Sequence, residues 1–123
     1  MYFCIELSAH SQMQLRKFFH DMVPSSHDWV GHHMTVSFGN EQFPEVTGRY
    51  FYMVPRAIGM LEDKVVAVQV ETQCPSNNAV KHITLGVNLD AGGKPVMSNK
   101  ITNWTELPVE KQIGLYGQVI QMN

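Results

Sequence analysis

Apolar and polar residues alternate along most of this chain with the period of two that is typical of β-strands. The predicted strands cover residues 2–7, 30–38, 49–60, 64–71, 80–88 and 113–121. Pro55 indicates a bulge or an edge position, because proline cannot donate a ladder hydrogen bond. One helix is predicted after the first strand, capped by Ser8 or Ser11 and closed by Pro24. Six strands with mostly hairpin connections and one helix indicate an α+β fold.

Two of the predicted strands nearly repeat each other. His33-Met34-Thr35-Val36 and His82-Ile83-Thr84-Leu85 both read His-apolar-Thr-apolar. Because side chains alternate between the two faces of a strand, each copy places a histidine and a threonine on one face. Ser37 and Gly86 are predicted to follow on that polar face, and Phe38 on the apolar face. Two such strands side by side would form a cleft with two imidazoles and two hydroxyls, a set suited to acid–base chemistry at a phosphate.

The chain contains four further histidines, of which His32 directly precedes His33. On a regular strand these two would face opposite sides, and the position two residues after His32 holds Met34, which has no hydroxyl. His33 is therefore predicted to be the functional residue, and replacement of His32 by alanine is predicted to be nearly silent. The other three histidines are interpreted as surface residues: His10, His20 and His27.

The composition predicts one domain, residues 1–123, with 44% hydrophobic residues to form its core. A net charge of −2 argues against a broad basic surface for long nucleic acids, and favours a mononucleotide, a strand end or a small cyclic nucleotide. Cys4 and Cys74 are interpreted as buried, reduced thiols. No histidine has a Cys or carboxylate partner at ligand spacing, so neither a metal nor a cofactor is predicted. With no signal peptide and no membrane-length segment, a cytoplasmic protein without a membrane partner is expected.

The two motifs resemble the signature of the two-histidine (2H) phosphoesterase superfamily, which is a pair of His-x-Ser/Thr-apolar segments. The chain looks most like the small tRNA-ligase-like RNA-repair proteins, where a Gly-x-His-x-Thr strand and a His-x-Thr strand precede a Lys-Pro-Val and a Ser-Asn. The corresponding segments here are Gly31–Thr35, His82–Thr84 and Lys94–Asn99. The two histidines are 49 positions apart, fewer than in most of the superfamily. A fold of reduced size is therefore implied.

The resemblance implies a two-lobed fold of mainly antiparallel sheets around a central cleft, with one motif on each lobe. It also implies a metal-independent phosphodiesterase that acts on RNA 2′,3′-cyclic phosphate ends or small cyclic nucleotides. In that chemistry one histidine is the base and the other the acid, and the family favours His82 as base and His33 as acid. The hydroxyls of Thr35 and Thr84 would donate hydrogen bonds to the phosphate oxygens.

Lys81 and Ser98 complete the predicted substrate-binding set. Further candidate contacts are Lys94 and Asn99 in the loop, and Tyr50, Tyr52 and Trp104 for stacking on a base. Two other interpretations remain: a nucleotide- or RNA-binding module without catalysis on the same fold, and an interaction domain without a ligand. The presence of two imidazoles favours an enzyme over a binding module, because binding alone does not need both.

Overall fold

The strands of this protein form one antiparallel sheet that closes on itself. The computed structural model describes every residue from Met1 to Asn123. The strands are β1 (Tyr2–Leu7), β2 (Asp28–Trp29), β3 (His33–Phe38), β4 (Tyr50–Leu61), β5 (Val65–Glu71), β6 (His82–Val87), β7 (Trp104–Glu106) and β8 (Leu115–Met122). Six of them follow the order β6-β3-β1-β8-β4-β5, and β5 pairs with β6 to complete a six-stranded barrel. The two short strands lie outside this ring, β2 on β6 and β7 on β4.

The α+β class and the antiparallel pairing predicted from the sequence are confirmed. The hairpin of β4 and β5 turns at Glu62, whose φ of 50° is left-handed. Pro55 lies where the register of this hairpin shifts, as predicted for a proline within a strand. Ser98, a predicted substrate-binding residue, lies within the 3-10 helix Pro95–Lys100.

One α-helix, α1 (Ala9–Phe19), follows β1. The Ser8 hydroxyl accepts a hydrogen bond from the Ser11 amide at 3.1 Å, so Ser8 is the N-cap. Leu15 and Phe19 point from the helix into the main core, where both are fully buried. Short 3-10 helices occupy His20–Met22, Pro44–Val46, Leu89–Ala91, Pro95–Lys100 and Val109–Lys111.

None of the helices has the length and apolar character needed to cross a membrane.

The apolar residues of both motifs belong to one core. Met34, Val36, Ile83 and Leu85 have no exposed surface and lie in the same cluster of 18 buried residues. Each such side chain contributes about 1.5–3 kcal/mol relative to an exposed position. This burial fixes which face of β3 and β6 is turned inward, and therefore which face carries the histidines.

A β-bulge in β3 follows the first motif. Thr35 and Ser37 pair with consecutive residues of β1, so that Val36 between them is an extra residue. An extra residue reverses the alternation of side chains beyond it. Ser37 is consequently 1% exposed, whereas Phe38 is 78% exposed. The predicted faces of these two residues were therefore wrong.

The second motif has the same bulge at the equivalent position. Thr84 and Gly86 pair with consecutive residues of β5, which makes Leu85 the extra residue. A Cβ atom on Gly86 would lie 2.6 Å from a methyl group of Val23 and 3.2 Å from the Cβ atom of His27. Gly86 therefore packs against the segment that leads to β2, and its predicted place on the polar face was wrong.

Candidate active site

The two motif strands are neighbours in the barrel. Met34 of β3 pairs with Ile83 of β6, the one residue pair that joins these antiparallel strands. In that register His33 lies across from Thr84, and Thr35 lies across from His82. The two copies of the motif are therefore placed side by side in opposite directions, with both histidines and both threonines on the outer face.

All four of these polar residues line one cavity of about 470 Å³. Its walls are formed by Tyr2, His33, Thr35, Phe38, Asn78, His82, Thr84, Pro95, Val96 and Asn99. The volume lies within the range of about 300–1,000 Å³ that is typical of small-molecule sites. A larger depression of about 810 Å³ lies against α1 and β8, but no histidine lines it. The smaller cavity is the better candidate site, because it combines titratable and hydroxyl groups.

His82 is held in one tautomer by the backbone. Its Nδ1 atom donates a hydrogen bond to the Val80 carbonyl oxygen at 2.8 Å. Because a carbonyl only accepts, the proton of the neutral ring is on Nδ1 and the lone pair is on Nε2. Burial lowers the pKa of His82, and the hydrogen bond to Val80 opposes that shift in part. This ring is therefore suited to accept a proton at Nε2.

His33 is partly buried at the other side of the cavity. Burial and, to a smaller extent, the charge of the neighbouring His32 lower the pKa of His33 to about 4. The Tyr2 ring lies 6.1 Å from the His33 ring, centroid to centroid. Glu6 pairs with His33 across β1 but forms no ion pair with it.

His32 lies beside His33 and not on the opposite side of the strand. The Nδ1 atoms of the two rings are 2.6 Å apart, and the ring centroids are 4.6 Å apart. The predicted separation was wrong because β3 begins at His33, so that His32 does not follow the alternation of the strand. Gly31, with a φ of +54°, turns the chain immediately before it.

The two threonine hydroxyls differ in their surroundings. Thr35 Oγ1 makes no hydrogen bond within the protein, while its carbonyl oxygen accepts one from Ser76 at 2.8 Å. Thr84 Oγ1 lies 2.8 Å from the hydroxyl of Ser98, which is 1% exposed. Ser98 therefore supports Thr84 from behind and does not line the cavity. When Ser98 donates to Thr84, the Thr84 proton remains available to a ligand.

Lys81 does not join the cavity. Its Nζ atom donates to the Thr72 carbonyl oxygen at 3.0 Å, and its side chain lines a separate depression beside Arg56. The prediction that Lys81 binds the phosphate is therefore corrected: Lys81 lies just before the start of β6, and its side chain extends toward Thr72 and not into the cavity. No lysine or arginine lines the cavity, although Lys94 is exposed next to Pro95.

The aromatic wall of the cavity consists of Tyr2 and Phe38, which were not predicted. Their rings stack with centroids 6.0 Å apart and an angle of 18° between planes. The predicted stacking residues lie elsewhere: Tyr50 and Tyr52 are on β4, and Trp104 is on β7. The bulge at Val36 brings Phe38 to this face, and a bulge is not visible in the hydrophobic pattern.

No protein-family model matches the chain, and no curated protein matches it. No three His, Cys, Asp or Glu side chains lie close enough together to hold a metal ion.

Proposed function

We propose that this protein is a metal-independent phosphodiesterase of the 2H type, which opens 2′,3′-cyclic phosphates of RNA ends or small nucleotides. The observation that carries the proposal is the Met34–Ile83 pair, which sets two copies of His-x-Thr in opposite directions on one cavity. Two imidazoles and two hydroxyls around one space are the groups that in-line displacement at phosphorus requires.

In the proposed reaction water attacks phosphorus opposite one ester oxygen of the cyclic phosphate. His82 Nε2 takes a proton from the water as the new P–O bond forms. The bond between phosphorus and the leaving sugar oxygen breaks, and that oxygen receives a proton from His33 Nε2. One water is consumed, and the cyclic diester becomes a monoester. Thr35 and Thr84 donate hydrogen bonds to the non-bridging oxygens, on which charge builds.

The charge of the cavity favours a substrate with a single phosphate. No lysine or arginine lines it, so a long polyanion finds no row of cations there. A bound phosphodiester carries one negative charge, which raises the pKa of a nearby histidine and opposes the effect of burial. Bound substrate therefore favours the protonated form of the histidine that donates to its leaving group.

The strand order supports a two-lobed organisation like that of the 2H proteins. In the barrel, β3 is followed by β1 and β8, and β6 is followed by β5 and β4. Each half thus begins with a motif strand, and each motif strand has its bulge directly after the threonine and against the next strand of its half. We interpret the two halves as the two lobes, in contact at β3–β6 and at β4–β8.

A bell-shaped pH dependence of kcat/KM is expected, with its optimum on the acid side of pH 6.5, the ordinary pKa of histidine. Burial lowers the pKa of His82, so the base stays neutral and active below that pH. The lowered pKa of His33, about 4, removes its proton early as the pH rises. Initial rates at low substrate concentration between about pH 3 and pH 9 measure both limbs. A rate that only rises with pH would contradict the assignment of a histidine acid.

Replacement of Phe38 by alanine is expected to raise KM about tenfold for nucleoside 2′,3′-cyclic phosphates, because stacking on a base contributes about 1–3 kcal/mol. Glycerol 1,2-cyclic phosphate has no base, so its KM should not change. Tyr52→Ala is the matched control, since Tyr52 is exposed on β4 away from the cavity. Equal effects of Phe38→Ala on both substrates would show that Phe38 does not contact the base.

The second candidate function is a nucleotide-binding module without turnover. The stacked rings of Tyr2 and Phe38 favour a nucleotide as ligand in either case. Incubation with a nucleoside 2′,3′-cyclic phosphate in EDTA distinguishes the two: an enzyme releases the monoester, whereas a binding module returns the cyclic compound unchanged.

A further inference from the structure

The backbone holds His32 firmly although its side chain is exposed. The Gly31 amide donates to the Thr84 carbonyl oxygen at 2.9 Å, and the Leu7 amide donates to the His32 carbonyl oxygen at 3.0 Å. Gly31 has a left-handed φ, and a Cβ atom there would lie 2.5 Å from the Trp29 ring. The chain therefore turns at a residue that has to be glycine, and the backbone is tied to β6 at Gly31 and to β1 at His32.

This turn brings the His32 ring against the His33 ring with their Nδ1 atoms 2.6 Å apart. At that distance one Nδ1 atom carries a proton and the other accepts it, because two lone pairs or two protons would repel each other. The protonation of one ring consequently sets the tautomer of the other. His32 is exposed while His33 is partly buried, so the contact links the cavity to solvent.

We propose that His32 is a positioning residue that fixes the tautomer of His33 and supplies a proton to its Nδ1 atom during the reaction, an inference that rests on the proposed phosphodiesterase function. With Nδ1–H of His32 donated to Nδ1 of His33, the neutral His33 ring carries its proton on Nε2, toward the substrate. When Nε2 releases that proton to the leaving oxygen, Nδ1 of His33 takes the proton of the His32 imidazolium. Both rings end neutral. After the product leaves, Nε2 of His33 takes a proton from water and the Nδ1 proton of His33 returns to Nδ1 of His32, which restores the starting pair.

No other group that faces His33 is placed to donate a proton to its Nδ1 atom. Tyr2 and Glu6 face it from β1, and His82 faces it across the cavity from β6. Neither Glu6 nor any other carboxylate forms an ion pair with it. A single buried histidine would hold few protons at neutral pH, whereas a hydrogen-bonded pair can retain one. The sequence-based expectation that His32 is dispensable is therefore reversed.

The test compares His32→Ala with His10→Ala, an exposed histidine on α1, in NMR titrations of histidine-labelled protein and in kinetics. In the unaltered protein, the signals of His32 and His33 should titrate together and share a downfield proton. His32→Ala should leave His33 with a single transition, lower kcat about tenfold and move the alkaline limb toward lower pH. Free imidazole should restore part of the rate of His32→Ala. His10→Ala should match the unaltered protein throughout.

Independent titration of His32 and His33, or an unchanged alkaline limb in His32→Ala, would overturn the inference. The NMR result does not depend on turnover. Coupled titration in a protein that hydrolyses no phosphodiester would therefore overturn the catalytic role of His32 together with the proposed function, while an uncoupled pair in an active enzyme would overturn this inference alone.

Discussion

Replacement of either His33 or His82 by alanine is expected to lower kcat by on the order of a hundredfold or more, because each removes the acid or the base of one proton-transfer step. We propose His82 as the base, since its Nδ1 proton is donated to the Val80 carbonyl oxygen and its Nε2 atom carries the lone pair. Single-turnover rates with a nucleoside 2′,3′-cyclic phosphate measure the loss. His20→Ala is the matched control, because His20 is exposed at the end of α1.

The double variant His33→Ala/His82→Ala tests whether the two histidines act in the same reaction step. The effects of replacing groups that act in one step do not add in free energy, so the double variant should be little slower than either single variant. Losses that multiply would indicate that the two residues act in different steps. Activity that survives in both single variants would place the chemistry elsewhere.

Replacement of Ile83 by alanine is expected to lower the free energy of unfolding by about 2–5 kcal/mol, and Ile83→Val by about 0.5–1.5 kcal/mol. Ile83 is fully buried and pairs with Met34, the one pair that joins the two motif strands. Urea unfolding followed by circular dichroism gives both values. If Ile83→Ala costs no more than Ile83→Val, the inner faces of the motif strands are not packed against the core as described.

The sequence predicted the face of each motif strand correctly as far as the threonine. His33, Thr35, His82 and Thr84 lie on one cavity because alternating apolar residues fix the inward face of each strand. That local rule does not say which strands pair. The Met34–Ile83 register and the closure of the barrel by β5 and β6 depend on contacts between distant segments, which periodicity does not encode.

The errors arise where the backbone departs from regular alternation. Phe38 reaches the cavity through a bulge, and His32 reaches His33 through the turn at Gly31. Gly31 was visible in the sequence, but its left-handed φ was not, because glycine adopts either sign with similar ease. Lys81 was predicted to bind the substrate, but it lies just before β6 and its side chain lines a separate depression.

Hydrolysis of a nucleoside 2′,3′-cyclic phosphate in the presence of EDTA tests the proposed function most directly. Phosphorus NMR follows the cyclic diester and the monoester in one sample, beside the His33→Ala/His82→Ala variant at equal concentration. Steady conversion by the unaltered protein, absent in the variant, is the expected result. An unchanged cyclic phosphate, or conversion that appears only when a divalent metal ion replaces the EDTA, would contradict metal-independent catalysis by the two histidines.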